Sequence, residues 1–247
     1  MVRHMVSSGS AKAVMGNHEY NAICFNRKAE GGGFLRKHSQ KNIKQHAETM
    51  KQFRGSEEEY RSMIRWFETL PLYFESGDFR VVHATWDHQE VNHLNNLTEN
   101  GVLNDDLIHQ SAQKESQVYR SVDTTLKGKE LELPGSITFH DKDGHERRAV
   151  RVKWWEHPDG QTYSSLAVGN VEGLPDMPVE NENSFPNQVY ERDERPVFFG
   201  HYWLKGKPRL FRENICCLDY SVAKGGKLVA YRYDGEDRLS NEKLVSV

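Results

Sequence analysis

Short apolar runs, separated by polar stretches, set the rhythm of this chain. The run "KAVMG" (12–16) is closed by a glycine and predicts a brief strand. In the "HEYNAICF" that follows, Tyr20, Ile23 and Cys24 fall at helical spacing. "GGGFLRKH" (31–38) reads as a flexible loop. Ser39 is placed to cap a helix through "KNIKQHAETMKQF". A second helix, "EEEYRSMIRWFETL", should stop at Pro71, whose ring cannot continue a helical ladder.

Further along, "LYFESGDFRVVHA" places two apolar runs around Ser-Gly-Asp and predicts a hairpin with Asp78 in solvent. "LNDDLIHQSAQKESQVYRSVDTTLKG" reads as helices. "SITFHDKDGHERRAVRVKWW" predicts another hairpin, with Asp143-Gly144 at its turn. Residues 156–195 are polar with scattered Gly and Pro, so they predict a long surface insertion. Three strands should close the chain: "PVFFGH", "NICCLDY" and "GKLVAYRYD". No internal repeat or low-complexity tract interrupts this order. Mixed helices and strands, with strands clustered late, predict an α/β fold of layered sheets in one domain spanning 1–247.

Composition narrows the partners. At 247 residues the chain can bury a substantial core. A net charge of −3 gives no footprint for nucleic acid. Cys24, Cys216 and Cys217 form no disulfide framework, which suits a reducing cytoplasm. No apolar run approaches the length of a bilayer span, so no membrane is expected. Oligomeric state is not legible.

Candidate chemistry sits where strands end. "AVMG" leads into Asn17-His18, "RVVH" ends in His83, and "VFFG" ends in His201. Side chains on rigid strand ends converge with little ordering cost. Ligands of open α/β sheets lie at such ends. Two imidazoles and an amide oxygen make a plausible divalent-cation half-site. Plainer roles stand beside this one. A histidine after a strand is commonly a hydrogen-bonded structural residue, and Glu19 suits the first turn of a helix. Trp154-Trp155 reads as hairpin packing, Arg147, Arg148 and Arg151 as a solvated strand face, and Cys216-Cys217 as buried strand.

"GNHEYNAICF" resembles the Gly-Asn-His-Glu motif of calcineurin-like metallophosphoesterases, in the phosphoprotein-phosphatase branch and in bacterial members of it. "RVVHATWD" and "VFFGHYW" are similar, in order and context, to the family's later strand-end His and Gly-His. "CLDYSVAKGGKLVAYR" resembles the strand pair after the Gly-His. The resemblance covers essentially the whole chain. It implies a layered α/β/β/α sandwich and direct hydrolysis of a phosphomonoester or phosphoanhydride by a metal-activated hydroxide. Asn17, His83 and His201 would hold a metal, and His18 would protonate the leaving group. Mn2+ is the foremost ion, with Fe, Zn or Ni as alternatives. Substrates would be phosphoproteins or phosphorylated small molecules such as dinucleoside tetraphosphates. Arg147, Arg151 and Tyr202 are candidate substrate contacts.

The family's earlier motifs, Gly-Asp-x-His-Gly and Gly-Asp-x-x-Asp-Arg-Gly, have no counterpart in the chain. They supply the first metal's ligands, the bridging carboxylate and a phosphate-binding Arg. The expectation is therefore a chain that starts partway through the domain. It would keep at most one partial metal site where the intact family is dinuclear, with weak affinity and impaired catalysis. A non-catalytic phosphatase-like binding protein, and an α/β domain whose histidines are structural, are the competing readings.

Overall fold

A computed structural model describes residues 1–140, 144–169, 171–179 and 189–247. The fold is mixed α/β. The chain divides into two compact units, Met1–Phe74 with Glu90–Leu126, and Glu75–Gln89 with Lys127–Val247. Among the described residues, no helix is long and apolar enough to cross a membrane.

Helices build the first unit: α1 (Val2–Ser7), α2 (Asn17–Asn26), α3 (Gln40–Gln52), α4 (Glu57–Phe67), most of α5 (His88–Leu97), α6 (Asp105–Ser111) and most of α7 (Gln117–Lys127). Extended backbone at Gly16 opens α2, and the Glu19 carboxylate accepts the Gly16 N–H at 3.0 Å. Tyr20, Ala22, Ile23 and Cys24 are its buried positions, as the spacing predicts. They face inward where α2 meets α4, and Asn26 Nδ2 donates to the Tyr60 hydroxyl at 2.6 Å. Ser39 caps α3, its Oγ accepting the Asn42 N–H at 3.3 Å. Helix α4 ends at Phe67, ahead of Pro71. The short strand expected at 12–16 does not form. Met15 N–H donates to the Pro71 carbonyl at 2.7 Å, but residues 11–16 join no ladder. Helix α5 was not legible, because its Asn-rich "HQEVNHLNNL" dilutes helix propensity around buried Val91 and Leu94.

The second unit carries the last residue of β1 (Tyr73–Glu75), then β2 (Arg80–Val82), β3 (Glu130–Glu132), β4 (Phe139–His140), β5 (Glu146–Arg147) and β6 (Ala149–Arg151). One helical turn, α8 (Tyr163–Leu166), follows. Then come β7 (Val197–Phe199), β8 (Ile215–Cys217), β9 (Asp219–Tyr220), β10 (Lys227–Tyr231) and β11 (Leu244–Ser246).

The main sheet has the order β1-β2-β7-β8. Strands β2, β7 and β8 run parallel, with Val81 opposite Phe198 and Phe198 opposite Cys216. Every residue of β7 and β8 is buried, the unbroken apolar pattern of parallel strands covered on both faces. Phe198, Cys216 and Leu239 form a core cluster, with Phe79, Val81, Tyr231 and Leu244 packed on it. Strands β9, β10 and β11 make an antiparallel sheet. Cys24, Cys216 and Cys217 are buried and form no disulfide.

The second predicted hairpin divides. Strand β4 pairs with β5, whereas β6 pairs with the more distant β3. Leu131, Leu133, Val150 and Val152 thereby join Tyr163, Leu166 and Ala167 in one cluster. Burying that common face outweighs the shorter loop. Asp143, expected in the turn, lies outside the described residues, as do 170 and 180–188 within the 156–195 segment. The rest of that segment is not simply surface. Tyr163, Leu166 and Tyr190 are at most 3% exposed, because a few apolar positions among many polar ones reach the core. Trp154 and Trp155 are each 1% exposed and meet edge to face, which is packing as expected.

Candidate metal centre

In the second unit the parallel register brings two predicted residues together. Val82 ends β2 and His83 follows; Phe199 ends β7 and Gly200-His201 follow. The Gly200 N–H donates to the His83 carbonyl at 2.9 Å and continues the ladder past the strand ends. The imidazoles of His83 and His201 lie 5.2 Å apart, centroid to centroid, inclined by 65°. His201 is buried and His83 half-buried. His201 and Trp203 hold φ values of 74° and 53°. Left-handed backbone costs a non-glycine residue about 1–3 kcal/mol and persists where its surroundings dictate it.

This pair fits part of a divalent site, since neutral imidazole suits first-row ions such as Mn, Fe, Ni and Zn. Among the described residues, no group of three or more His, Cys, Asp or Glu is arranged to hold a metal ion. The pair is therefore a two-donor arrangement within its unit.

Asn17 and His18 belong to the first unit, as the opening residues of α2. Asn17 is half-buried and His18 exposed. Glu19 is engaged with the Gly16 N–H, the first-turn role expected of it.

Each of the three candidate substrate contacts has a partner within the protein. Tyr202 is buried, and its hydroxyl shares a 3.1 Å hydrogen bond with Thr85 Oγ1. Burial pushes its phenol pKa well up, with the Thr85 bond and the Arg151 charge pulling the other way, so it stays neutral. Arg147 Nη2 and Arg151 Nε lie 2.8 and 3.8 Å from Glu130 Oε1, so both guanidinium groups face a carboxylate on β3.

Sequence reasoning missed three polar networks. Asp87 pairs with Lys129, each side chain only 8% exposed, immediately beyond His83. An aspartate in "HATWDH" was the one signal available. In the first unit, Ser121 Oγ lies 2.9 Å from His93 Nδ1 and donates to Glu90 Oε2 at 2.6 Å. Despite those residue types, Ser121 has no exposed surface, so it cannot meet a substrate.

A third network flanks β2. Arg80 Nε is 2.8 Å from Glu75, and its Nη1 reaches Glu194 at 2.6 Å and the Tyr190 hydroxyl at 3.0 Å. His88 Nε2 is 2.7 Å from Glu194 and its ring stacks on Tyr190. Burial alone would raise the Glu194 pKa. Bonds from His88, the Glu191 N–H and Arg80 outweigh it and hold the carboxyl below its ordinary 4.5. A folded-state pKa below the unfolded one adds stability above about pH 4.5, lost as pH falls through the folded value. Glu194→Gln should therefore lower stability at pH 7 and flatten the loss between pH 5 and 3, read by urea denaturation across pH.

Fold and site together define a mixed α/β protein with a histidine pair at the carboxyl edge of parallel strands. Compared with known proteins, the chain matches no family model, no curated protein and no solved structure.

Proposed function

We propose that this chain is a metal-dependent phosphoesterase of the calcineurin-like, phosphoprotein-phosphatase kind, built on a layered α/β/β/α sandwich. It would cleave phosphomonoester or phosphoanhydride bonds of a phosphoprotein or a phosphorylated small molecule. The observation that carries the reading is the contact of His83 with His201 at the ends of β2 and β7. In this reading both imidazoles hold one divalent cation, Mn2+ foremost, with Fe, Zn or Ni able to substitute. Such a cation supplies Lewis-acid polarisation of a phosphoryl oxygen. The resemblance alone, and no geometry, would add the Asn17 amide oxygen to that ligand set and make His18 the proton donor. Three buried cysteines outside any disulfide fit a reducing, cytoplasmic setting.

The experiment is a Mn2+ titration of the whole chain beside turnover of p-nitrophenyl phosphate. His83→Ala and His201→Ala should each weaken Mn2+ binding by at least about a hundredfold. His18→Ala should keep Mn2+ affinity and lose about 10²–10⁴ in turnover. Unchanged metal content in the first two variants would overturn the reading. A second reading, a non-catalytic phosphatase-like binding protein, is favoured by the lack of a third His, Cys, Asp or Glu beside the pair among the described residues. Histidine-dependent Mn2+ binding without turnover would select it.

A further inference from the structure

We propose that Asp219 is the positioning residue that sets the His201 imidazole against His83; its consequence for metal affinity rests on the phosphoesterase reading. The strap from Gly200 to Leu204 needs such a residue, because His201 and Trp203 both take left-handed backbone. Asp219 opens β9, eighteen positions after His201. Its Oδ2 accepts the Trp203 N–H at 3.1 Å and its Oδ1 accepts the Ser221 N–H at 3.0 Å. Its main-chain carbonyl accepts the Leu204 N–H at 3.0 Å. Ser221, also left-handed at φ 61°, returns its hydroxyl to the Leu204 carbonyl at 3.0 Å.

The near end of the strap is fixed by the Gly200 N–H on the His83 carbonyl. A Cβ at Gly200 would lie 3.5 Å from Asp219 Cβ and 3.7 Å from the His83 carbonyl oxygen, so Gly200 sits between the two. His201 is thus carried on a short strap tied to the His83 backbone at one end and to the Asp219 carboxylate at the other. Both carboxylate oxygens face main-chain N–H groups, so Asp219 acts through the strap.

Asp219→Asn is the informative variant. It keeps the shape, yet its NH2 group must face one of two N–H donors, so one bond is lost. Two readouts apply, the second independent of metal. In a Co2+ titration followed by visible absorption, D219N should bind about 10–100-fold more weakly than the natural chain. In NMR of the metal-free chain, the Trp203 or Ser221 amide should lose exchange protection, and the His201 imidazole signals, assigned with H201A, should shift or broaden. Adding Trp203→Gly should restore part of the affinity, since glycine takes positive φ without strain. If D219N alone does not fold, the comparison is made in the W203G background.

Equal Co2+ affinity and unchanged His201 signals in D219N would overturn the assignment. Should the natural chain bind no Co2+ through His83 and His201, the phosphoesterase reading falls. The amide and imidazole signals then still decide the role of Asp219.

Discussion

Gly226→Ala should cost about 4 kcal/mol or more, the range of exceptional, mechanism-specific losses. A Cβ at this position would lie 2.0 Å from the Tyr220 carbonyl oxygen and 2.7 Å from that of Ser221. Both obstacles are main chain, so no rotamer change relieves the overlap. The Gly226 N–H donates to the Ser221 carbonyl at 3.0 Å, and Lys227 stands opposite Tyr220 in the ladder. Moving residue 226 aside therefore separates β9 from β10 and disturbs Asp219, whose carboxylate holds the Trp203 N–H. Gly225→Ala is the control. Its φ is +75°, but nothing lies within 4 Å of the added carbon. It should lose only about 1–3 kcal/mol, through backbone strain. Urea denaturation of the two variants reads the difference, and equal losses would show that the turn relaxes freely.

Lys129→Met should cost about 3–5 kcal/mol, because it leaves a buried carboxylate without its cation. The Asp87 and Lys129 side chains are each 8% exposed. Asp87 ends a buried run in which Ala84 and Thr85 have no exposed surface and Trp86 has 3%. Removing two charges from water costs several kcal/mol per ion, which their attraction roughly offsets. Removing the lysine alone forfeits the attraction and keeps the cost. Lys129→Met with Asp87→Leu should therefore recover most of the loss. A single-variant cost below about 1 kcal/mol would mean that water screens the pair as it does at a surface. The segment concerned follows His83 directly, so the Mn2+ affinity of Lys129→Met also tests whether the ion pair steadies that histidine.

Several elements were legible because their causes are local. Tyr20, Ile23 and Cys24 share a face of α2 at helical spacing, and Ser39 caps α3 through a bond three residues away. The apolar runs before His83 and His201 predicted strands, and parallel pairing of those strands put both histidines at one sheet edge. Asp219 was passed over as ordinary strand. Besides Ser221 close by, its partners are Trp203 and Leu204, more than a dozen residues earlier. Nothing near it in the sequence announces a turn, a cap or a ligand.

Though not the strand expected at 12–16 or helix α5, the sequence by itself determined the buried face of α2, the Ser39 cap, and the strand runs that end at His83 and His201. All of these follow from propensity and periodicity over a few residues. Only the tertiary structure decided that β6 leaves its neighbour for β3 and that Tyr163 and Leu166 enter the core from a polar stretch. It also decided that Tyr202 bonds Thr85, and that Glu130 draws Arg147 and Arg151. Those outcomes depend on which distant surfaces exclude water together and on which charge lies nearest once they do. Both are properties of the assembled chain and of no short segment within it.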